Sequence, residues 1–523
     1  MSKRVLLTVA ALAGIFGMTP WSPTGSRTAH AQTTWVGDSS QDWNTAANWS
    51  SDPANPTGNF LVNTDAAGVF PIYSADGLFT PVDIFIGNVA AATGRLDQTG
   101  GNLAVGPGNW LRMGEGGGAT GTYNMTGGTF TGRVHMARVG GVAGTATINV
   151  TKATLSSPGE IVVSDGQNNT ATAQGTLNIT GTSVVNSEGD LIVAFAGNAN
   201  SFGEVNIGAG TTYNLATATK RWLIVNQWDT TQGRLNVSGT LNLNAVTDLR
   251  FSTGNGTGTS VVTLSPGGAI NMQAGSELDF NRGSSVGVNN TFNLNGGVIT
   301  LGRVMRFNTG AGAATRVFNF NGGTLRAAGN STAFFDAGVA TLADVKAGGA
   351  IIDSNTFDIT IGQALSGVGG LTKNGGGILT LTGINAYAGN TTVNAGTLAL
   401  ADNAGLSFVI GASGVNNTVT GSGVATLDGD FTFDLTGAST TPGASWSIVN
   451  VGTLAETFGS TFSVNAFTDA GSNLWTKPIS GSLFYQFSES TGVLKVVPEP
   501  ATGVLLSGLS VLVLLRRRGS QGA

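Results

Sequence analysis

Few side chains in this sequence could carry out chemistry. The chain has 523 residues, no cysteine and two histidines, so disulfides, thiolate metal sites and cysteine nucleophiles are excluded. His30 lies near the N-terminus, and His135 stands alone in the segment GRVHMARVGG. Because an active site needs converging titratable groups, we expect His135 to be an exposed or structural residue. The sequence contains no H-E-x-x-H, G-x-S-x-G or glycine-rich phosphate-loop motif.

An acidic cluster is one further candidate for a site. Asp428, Asp430 and Asp434 lie close together in the segment LDGDFTFD. A divalent-cation site is one interpretation of these residues, although the calcium-binding nonapeptide G-G-x-G-x-D is absent. We predict no metal ligands and no cofactor in this chain.

The enzymatic alternative is a polysaccharide lyase or hydrolase. Such an enzyme would need clustered carboxylates, with arginine or lysine, on one face of the fold. The acidic residues are sparse and recur at no fixed position of the sequence repeat. Arg112, Arg133 and Arg138 would form a basic patch if they lay on adjacent coils, but solvated edge positions are the interpretation that we favour. We therefore predict no catalytic residues and a protein that is not an enzyme.

The composition points to β-structure with many turns. Charged residues make up 10% of the chain and hydrophobic residues 41%, and 81 residues are glycine. Disordered segments are usually highly charged, so this chain is predicted to be folded. Abundant Gly, Thr, Val and Asn are typical of strands joined by tight turns. The formal net charge of −5 leaves no basic surface of the kind that binds nucleic acid.

A short pattern recurs along the chain: Gly, any residue, an apolar residue, Asn or Asp, a mostly apolar residue, Thr or Ser, and Gly. It is seen in GTYNMTGG from Gly121, GTLNITGT from Gly175 and GRLNVSGT from Gly233. The first six polar positions are separated by 27, 25, 29, 28 and 30 residues. We predict that these positions stack in a ladder of side chains: Asp97, Asn124, Asn149, Asn178, Asn206, Asn236, Asn293 and Asn319.

Each period contains at least two short strands and no helical pattern. Apolar segments such as RVHMARVGG and RWLIVNQWD lie between the repeats, and none has the spacing of an amphipathic helix. About 27 extended residues at ~3.3 Å each can form one coil around a packed interior. The sequence predicts an all-β fold, a right-handed parallel β-helix (β-solenoid) with a small antiparallel β-domain at its C-terminal end. A leucine-rich repeat is the main alternative, but the Leu-x-x-Leu-x-Leu spacing that it requires is absent. A series of separate β-sandwiches is a second alternative, but so short a period supplies too few strands for each one.

The N-terminus has the pattern of a secretory signal. Lys3 and Arg4 precede the apolar run 5–18, and Ala29 and Ala31 supply the small residues of a cleavage site before Gln32. A buried helix or a membrane anchor is the alternative, but the run is short for a membrane span.

Three tryptophans follow the predicted signal. Trp35, Trp43 and Trp49 are interpreted as packing of an end cap, because a stack of coils exposes unpaired strand edges. Sugar stacking is the alternative for these rings.

Residues 367–400 resemble the autotransporter-associated β-strand repeat. The matching positions are Gly370, Leu371, Lys373, Gly375, Gly377, Leu379, Leu381, Gly383, Asn385, Tyr387, Gly389, Thr391, Gly396 and Leu398. The resemblance implies a passenger-type β-helix segment of an exported bacterial protein.

The C-terminus resembles the PEP-CTERM sorting signal. The tripeptide matches at Pro498, Glu499 and Pro500, an apolar segment follows at 501–515, and the basic end is Arg516, Arg517 and Arg518. The resemblance implies transient retention in the membrane and processing by an exosortase-type enzyme in a Gram-negative bacterium. Three arginines would hold the end of this predicted hydrophobic helix on the cytoplasmic side.

These observations predict five regions: a signal peptide (1–31), an N-terminal β cap (32–90), solenoid repeats (91–420), a C-terminal β-domain (421–497) and a sorting and transmembrane segment (498–523). We expect an exported structural or adhesive repeat protein, located at the cell surface or in the extracellular matrix. Its expected partners are the processing enzyme, envelope or extracellular polysaccharide, and the membrane. A carbohydrate-binding adhesin is the main alternative.

Overall fold

Three parallel ladders of short strands run through the described part of the chain, and from Thr93 onward each coil contributes a strand to each ladder. The computed structural model describes residues 31–498, except 38, 51–57, 67, 78, 107, 139–142, 167–170, 217, 229, 255–256, 283–286, 309–313 and 455–457. The predicted all-β parallel β-solenoid is confirmed. Strands spaced by about 4.8 Å in the 15-stranded sheet extend over roughly 70 Å.

The first ladder is the 15-stranded sheet. Its strands are Ile72–Tyr73, Thr93–Gln98, Thr120–Met125, Gly144–Thr151, Ala173–Thr180, Phe202–Ile207, Gln232–Val237, Thr259–Leu264, Asn289–Leu294, Thr315–Phe320, Leu342–Val345, Leu365–Gly367, Ile384–Tyr387, Gly405–Val409 and Asp430–Asp434. The second and third ladders join into one 29-stranded sheet, because the strand Val419–Leu427 pairs with both.

The second ladder consists of Asn102–Ala104, Thr129–Thr131, Thr154–Ser157, Val184–Ser187, Thr212–Leu215, Thr240–Leu243, Ala269–Asn271, Val298–Leu301, Thr324–Ala327, Ala350–Asp353, Leu371–Asn374, Thr391–Val393, Val419–Leu427 and Val449–Leu454. The third consists of Gln32–Thr34, Asn59–Val62, Ile84–Ile86, Trp110–Met113, Arg133–Met136, Ile161–Val162, Leu191–Ala194, Trp222–Asn226, Asp248–Ser252, Glu277–Asp279, Arg303–Met305, Ser331–Phe335, Ile359–Ile361, Ile378–Leu381 and Thr397–Leu400.

A five-stranded antiparallel sheet closes the C-terminal end. In spatial order its strands are Ser445–Ser447, Val493–Pro498, Leu483–Ser488, Leu474–Pro478 and Thr468–Asp469. Within the described part of the chain, the helical content is one 3-10 turn, Ala46–Asn48, and no helix is long and apolar enough to cross a membrane.

Alternation along each strand of the first ladder builds the core. In Thr120–Met125, Tyr123 and Met125 are fully buried while Asn124 between them is half-buried. The same register places equivalent side chains over one another, so Phe292 and Phe318 stack with their ring centroids 5.0 Å apart. Burial of such a column removes about 25 cal/mol of unfavourable hydration for each Å² of apolar surface.

The recurring polar residues form one row on the outer face of the first ladder. Five successive side chains donate from Nδ2 to the side-chain oxygen one coil earlier, at 2.8 to 2.9 Å. The row contains Asp97, Asn124, Asn149, Asn178, Asn206, Asn236, Thr263, Asn293 and Asn319, in register throughout. Asp97 is the first residue of the row. Its carboxylate accepts a hydrogen bond from Asn124, and because a carboxylate has no N–H group to donate, it needs no acceptor in the coil before it.

A second row of asparagines, which the repeat search did not find, runs along the second ladder. It contains Asn186, Asn214, Asn242 and Asn271, whose amides donate to the preceding residue at 2.8 to 2.9 Å. Two faces of the coil are therefore held by stacked amides as well as by backbone hydrogen bonds.

The first glycine of the repeat lies where the first and third ladders approach most closely. A Cβ added to Gly175 would lie 1.6 Å from the carbonyl oxygen of Val163, and one added to Gly203 would lie 1.8 Å from that of Val193. Neither glycine has positive φ, so lack of space requires glycine at these positions.

Later coils replace this glycine by polar residues. Ser260, Asn290 and Arg316 occupy the same register position as Gly233. Each is buried and donates to a backbone carbonyl at 2.7 to 3.0 Å. These hydrogen bonds offset the cost of placing a polar group in the interior.

Aromatic clusters fill both ends of the stack. Trp43 packs against Trp49 with centroids 4.7 Å apart and stacks on Phe60 at 5.4 Å. Trp35, Trp43 and Trp49 are 4%, 0% and 3% exposed, which leaves no ring face for a sugar. At the C-terminal end, Phe431 contacts Phe462 at 5.1 Å in an edge-to-face arrangement.

The ladders run across the boundaries predicted at residues 90 and 420. Ile84–Ile86 pairs with Asn59–Val62 before it and with Trp110–Met113 after it, and Val449–Leu454 pairs with Val419–Leu427. Residues 32–90 are therefore the first coils of the same stack, and the antiparallel sheet begins only at Ser445.

The predicted processing signals fall mostly outside the described residues. Ala31 precedes the first strand and Pro498 ends the last one. Ala29, Glu499, Pro500, the predicted helix at 501–515 and Arg516, Arg517 and Arg518 lie outside the described residues.

Replacement of an asparagine within the row should weaken the fold. Asn178→Ala removes one donated and one accepted hydrogen bond, each 2.9 Å long. We expect the free energy of unfolding to fall by about 1 to 3 kcal/mol, measured by denaturant titration. Thr176→Ala, on the same outward face of the same strand, should cost less than about 1 kcal/mol. Equal losses for the two variants would contradict a stabilising role of the row.

The close approach of the ladders should make Gly203 intolerant of any side chain. Gly203→Ala forces Cβ against the Val193 carbonyl oxygen, and we expect a loss of about 3 kcal/mol or more. Gly376→Ala is the matched control, because its Cβ would meet only the carbonyl oxygen of Asn355, at 3.9 Å. The melting temperatures of the two variants test this expectation, and similar values would disprove it.

Candidate functional site

The outer face of the third ladder carries a row of side chains that point away from the core, and all of them except the half-buried Met305 are buried. In register, the row contains Phe85, Arg112, His135, Val162, Ile192, Ile224, Arg250, Asp279 and Met305. Val162, Ile192 and Ile224 form a hydrophobic cluster separate from the main core. We call this set the outer row.

A charged cluster lies at the N-terminal part of the outer row. Arg112 Nη1 lies 3.3 Å from Glu115 Oε1, and Arg138 Nε lies 3.6 Å from Asp165 Oδ2. His135 Nδ1 lies 4.0 Å from the same Asp165 oxygen. Arg112, His135, Arg138 and Asp165 are 4 to 7% exposed, so these charges interact with little screening by water.

A second charged cluster lies toward the C-terminal end. Arg250 Nη2 lies 2.9 Å from Asp248 Oδ2, and Arg282 Nη1 lies 3.5 Å from Asp279 Oδ2. Burial is the main factor that raises the pKa of Asp279. The Arg250 guanidinium lies over the ring of Trp222, 4.5 Å from its centroid.

Between the two clusters, the surface opens into a cavity of about 350 Å³, here called the His135 cavity. Val162, Ile192 and Phe195 supply its apolar lining. Its polar lining consists of His135, Glu160, Asp165, Asp190 and Gln227. Among the described residues, the Nδ1 of His135 and the Oε1 of Gln227 are buried without a hydrogen-bond partner.

Two titratable groups of the cavity have shifted pKa values. Burial, followed by the charges of Arg138, Arg112 and Arg133, holds the pKa of His135 well below its ordinary value. Burial raises the pKa of Asp190. The His135 ring is therefore neutral at pH 7, and it contacts Trp110 with ring centroids 4.4 Å apart and a tilt of 40° between the ring planes.

The other candidate residues have ordinary structural roles. Asp430 Oδ1 accepts from the backbone N–H and the hydroxyl of Ser463, at 3.1 and 2.8 Å. Asp434 Oδ1 accepts from the backbone N–H and the hydroxyl of Thr436, at 3.0 and 2.6 Å. No group of three His, Asp or Glu residues among those described could hold a metal ion.

The expectation of solvated edge positions is wrong for Arg112 and Arg138, since both are buried. Arg133 is half-buried and lies over the ring of Trp110, 5.1 Å from its centroid. Of the two alternatives for His135, the structure excludes the exposed one, because the side chain is 7% exposed.

Sequence reasoning missed the outer row because it shares no residue type. A signal was present in the alternation of the segments NWLRM, RVHM, EIVV, DLIV and RWLIV, whose second outward position is always the row residue. Aligning these segments on their inward residues would have brought His135 beside Val162.

One family model matches the chain, and two further comparisons find nothing. The passenger-associated-transport-repeat model matches residues 371–400, which confirms the autotransporter-type repeat. No curated protein and no solved structure matches the chain.

The residues of the matched repeat hold the coil together. Lys373 is fully buried and donates from Nζ to the Ser354 hydroxyl at 2.9 Å and to backbone carbonyls at 2.7 to 3.1 Å. Burial lowers its pKa to about 8. The Tyr387 hydroxyl contacts that of Thr391 at 2.6 Å. The coil is only 20 residues long here, as the hydrogen bond that Asn394 Nδ2 donates to Asn374 Oδ1 shows.

Protonation of His135 should destabilise the fold. Between the ordinary pKa of 6.5 and the lower value in the folded chain, only the unfolded chain binds the proton. The free energy of unfolding should therefore fall as the pH falls below about 6.5, by up to about 1.4 kcal/mol per pH unit. The charged groups around the ring are Arg112, Arg133, Arg138 and Asp165, and Glu160 and Asp190 line the same cavity.

Denaturant titrations at about pH 7.5 and about pH 5.5 measure this effect. The wild type should lose at least about 1 kcal/mol more than His135→Gln, which cannot titrate in this range. Identical pH dependence of the two proteins would show that His135 does not carry the effect.

Proposed function

We propose that this chain is an exported bacterial repeat protein that acts as a structural and adhesive component of the cell surface or extracellular matrix. The observation that carries this proposal is the passenger-associated repeat at 371–400 within an uninterrupted stack of parallel strands. The stack is right-handed in this proposal, because crossover connections between parallel strands almost always have that hand.

The termini supply the route in this proposal. Residues 1–31 act as a signal peptide that is cut after Ala31, and Pro498, Glu499 and Pro500 begin a sorting segment read by an exosortase-type enzyme. The apolar run 501–515 and Arg516 to Arg518 retain the chain in the membrane until it is processed. Fifteen helical residues extend about 22 Å, so arginine side chains must snorkel to reach the membrane surface.

A carbohydrate-binding adhesin is the second candidate. The specific observation in its favour is the His135 cavity, which combines apolar and carboxylate lining on the outside of the stack. Both candidates have envelope or extracellular polysaccharide as the partner and require no catalysis.

The proposed route is testable in a Gram-negative bacterium that has an exosortase. We expect the full chain to become accessible to protease on intact cells and to begin at Gln32 when sequenced. Replacement of Pro498, Glu499 and Pro500 by alanine should leave the chain in the membrane fraction at its unprocessed mass. Pro442→Ala, in an exposed loop, is the matched control and should be processed normally.

Wild-type chain that remains in the cytoplasm would overturn the proposal of export. Normal processing of the triple variant would overturn the sorting role of the tripeptide and leave export itself standing.

A further inference from the structure

We propose that the His135 cavity is a binding site for one uncharged sugar residue of a polysaccharide. This inference rests on the proposed function, since the site must meet polysaccharide outside the cell. Its volume of about 350 Å³ lies at the lower end of the range for small-molecule sites.

The apolar lining of the cavity can accept the hydrophobic face of a sugar ring. Val162 and Ile192 are 3% and 7% exposed, and the half-buried Phe195 packs against them. Their side chains lie outside the main core, so this cluster does not serve the packing of the coil interior. The aromatic ring of Phe195 and the neighbouring aliphatic side chains form an apolar surface, against which the C–H groups of a sugar ring can pack.

The polar lining consists mainly of acceptors. Glu160, Asp165 and Asp190 supply carboxylates, and Gln227 presents a buried amide oxygen that has no partner among the described residues. The neutral His135 ring is 7% exposed, and its Nδ1 likewise lacks a partner there. A buried polar atom without a partner costs about 1 to 3 kcal/mol, and a ligand hydroxyl can act as donor or acceptor.

The charges of the cavity favour a neutral ligand. Glu160 and Asp190 would repel a uronic acid, and Arg138 already faces the carboxylates of Asp165 and Glu115 at 3.6 and 3.9 Å. Arg138 faces Asp165 and the charges of Arg221 and Arg250 act on Asp190. Two of the three carboxylates therefore have cationic partners already, which leaves little net attraction for an amino sugar.

Titration calorimetry with the full chain tests this assignment. The probes are pentasaccharides of glucose and of mannose, a galacturonic acid pentasaccharide and a chitosan pentasaccharide. We expect binding of at least one neutral probe and weaker binding of both charged probes. Phe195→Ala and Glu160→Gln should each weaken that binding by about tenfold, the loss expected for one stacking contact or one hydrogen bond to a charged group.

Phe307→Ala is the matched control, because Phe307 is 55% exposed and does not line the cavity. It should bind the neutral probe as the wild type does. Glu160→Gln changes little volume, so it tests the site even if Phe195→Ala does not fold.

Four results would overturn the inference: no binding of a neutral probe, preference for a charged probe, equal weakening by Phe307→Ala, or shortening of the bound probe. Protein that reaches the cell surface but binds no neutral probe would refute this site and leave the proposed function intact. Binding of a neutral probe by protein that is not exported would support this site and refute the proposed function.

Discussion

The parallel register between successive coils constrains every other feature of this molecule. Each residue of a ladder lies over a residue one coil away, so a side chain that points outward in one coil lies over a side chain that points outward in the next. Coils of 19 residues, as from Ile378 to Thr397, and of 32 residues, as from Leu191 to Leu223, keep this register, because the difference in length is taken up between strands. The side chains that lie in register can then satisfy one another, as the asparagine row does from Asp97 to Asn236. In such a stack, stability is approximately a sum of contributions from each coil and its neighbours.

The outer row does not follow this pattern of equivalent side chains that satisfy one another. It carries buried ion pairs in two clusters. Removing charges from water costs free energy, and the attraction within a pair offsets that cost only when the geometry is good and further hydrogen bonds are made. Arg250 and Asp248 meet that condition at 2.9 Å, whereas His135 remains 4.0 Å from Asp165 with Nδ1 unpartnered among the described residues. A structure that only needed to be a rod could carry threonine and asparagine here, as it does on the first ladder. The cost at His135 is therefore the physical reason to connect this face with a ligand.

Sequence reasoning reached the fold because the repeat shows itself in residue type. Gly, Asn and alternating apolar residues recur in GTYNMTGG and GTLNITGT, and each is required by a separate constraint of the coil. The same reasoning did not reach the outer row, where Arg112, His135 and Val162 follow one another in space without any shared chemistry. It also placed a boundary at residue 420, since the motif ends before the parallel pairing does. Residue type reveals a constraint only where every coil meets it with the same side chain.

The asparagine row has a direction. Every amide from Asn124 to Asn236 points its N–H group toward the N-terminal end, so the individual dipoles add instead of cancelling. An amide group carries about 3.5 D, and aligned amides produce a positive pole where the donors are exposed, as at the start of a helix. Asp97 places a negative charge at that pole, which makes this column of side chains an electrostatic counterpart of a capped helix, built across five coils instead of along one segment.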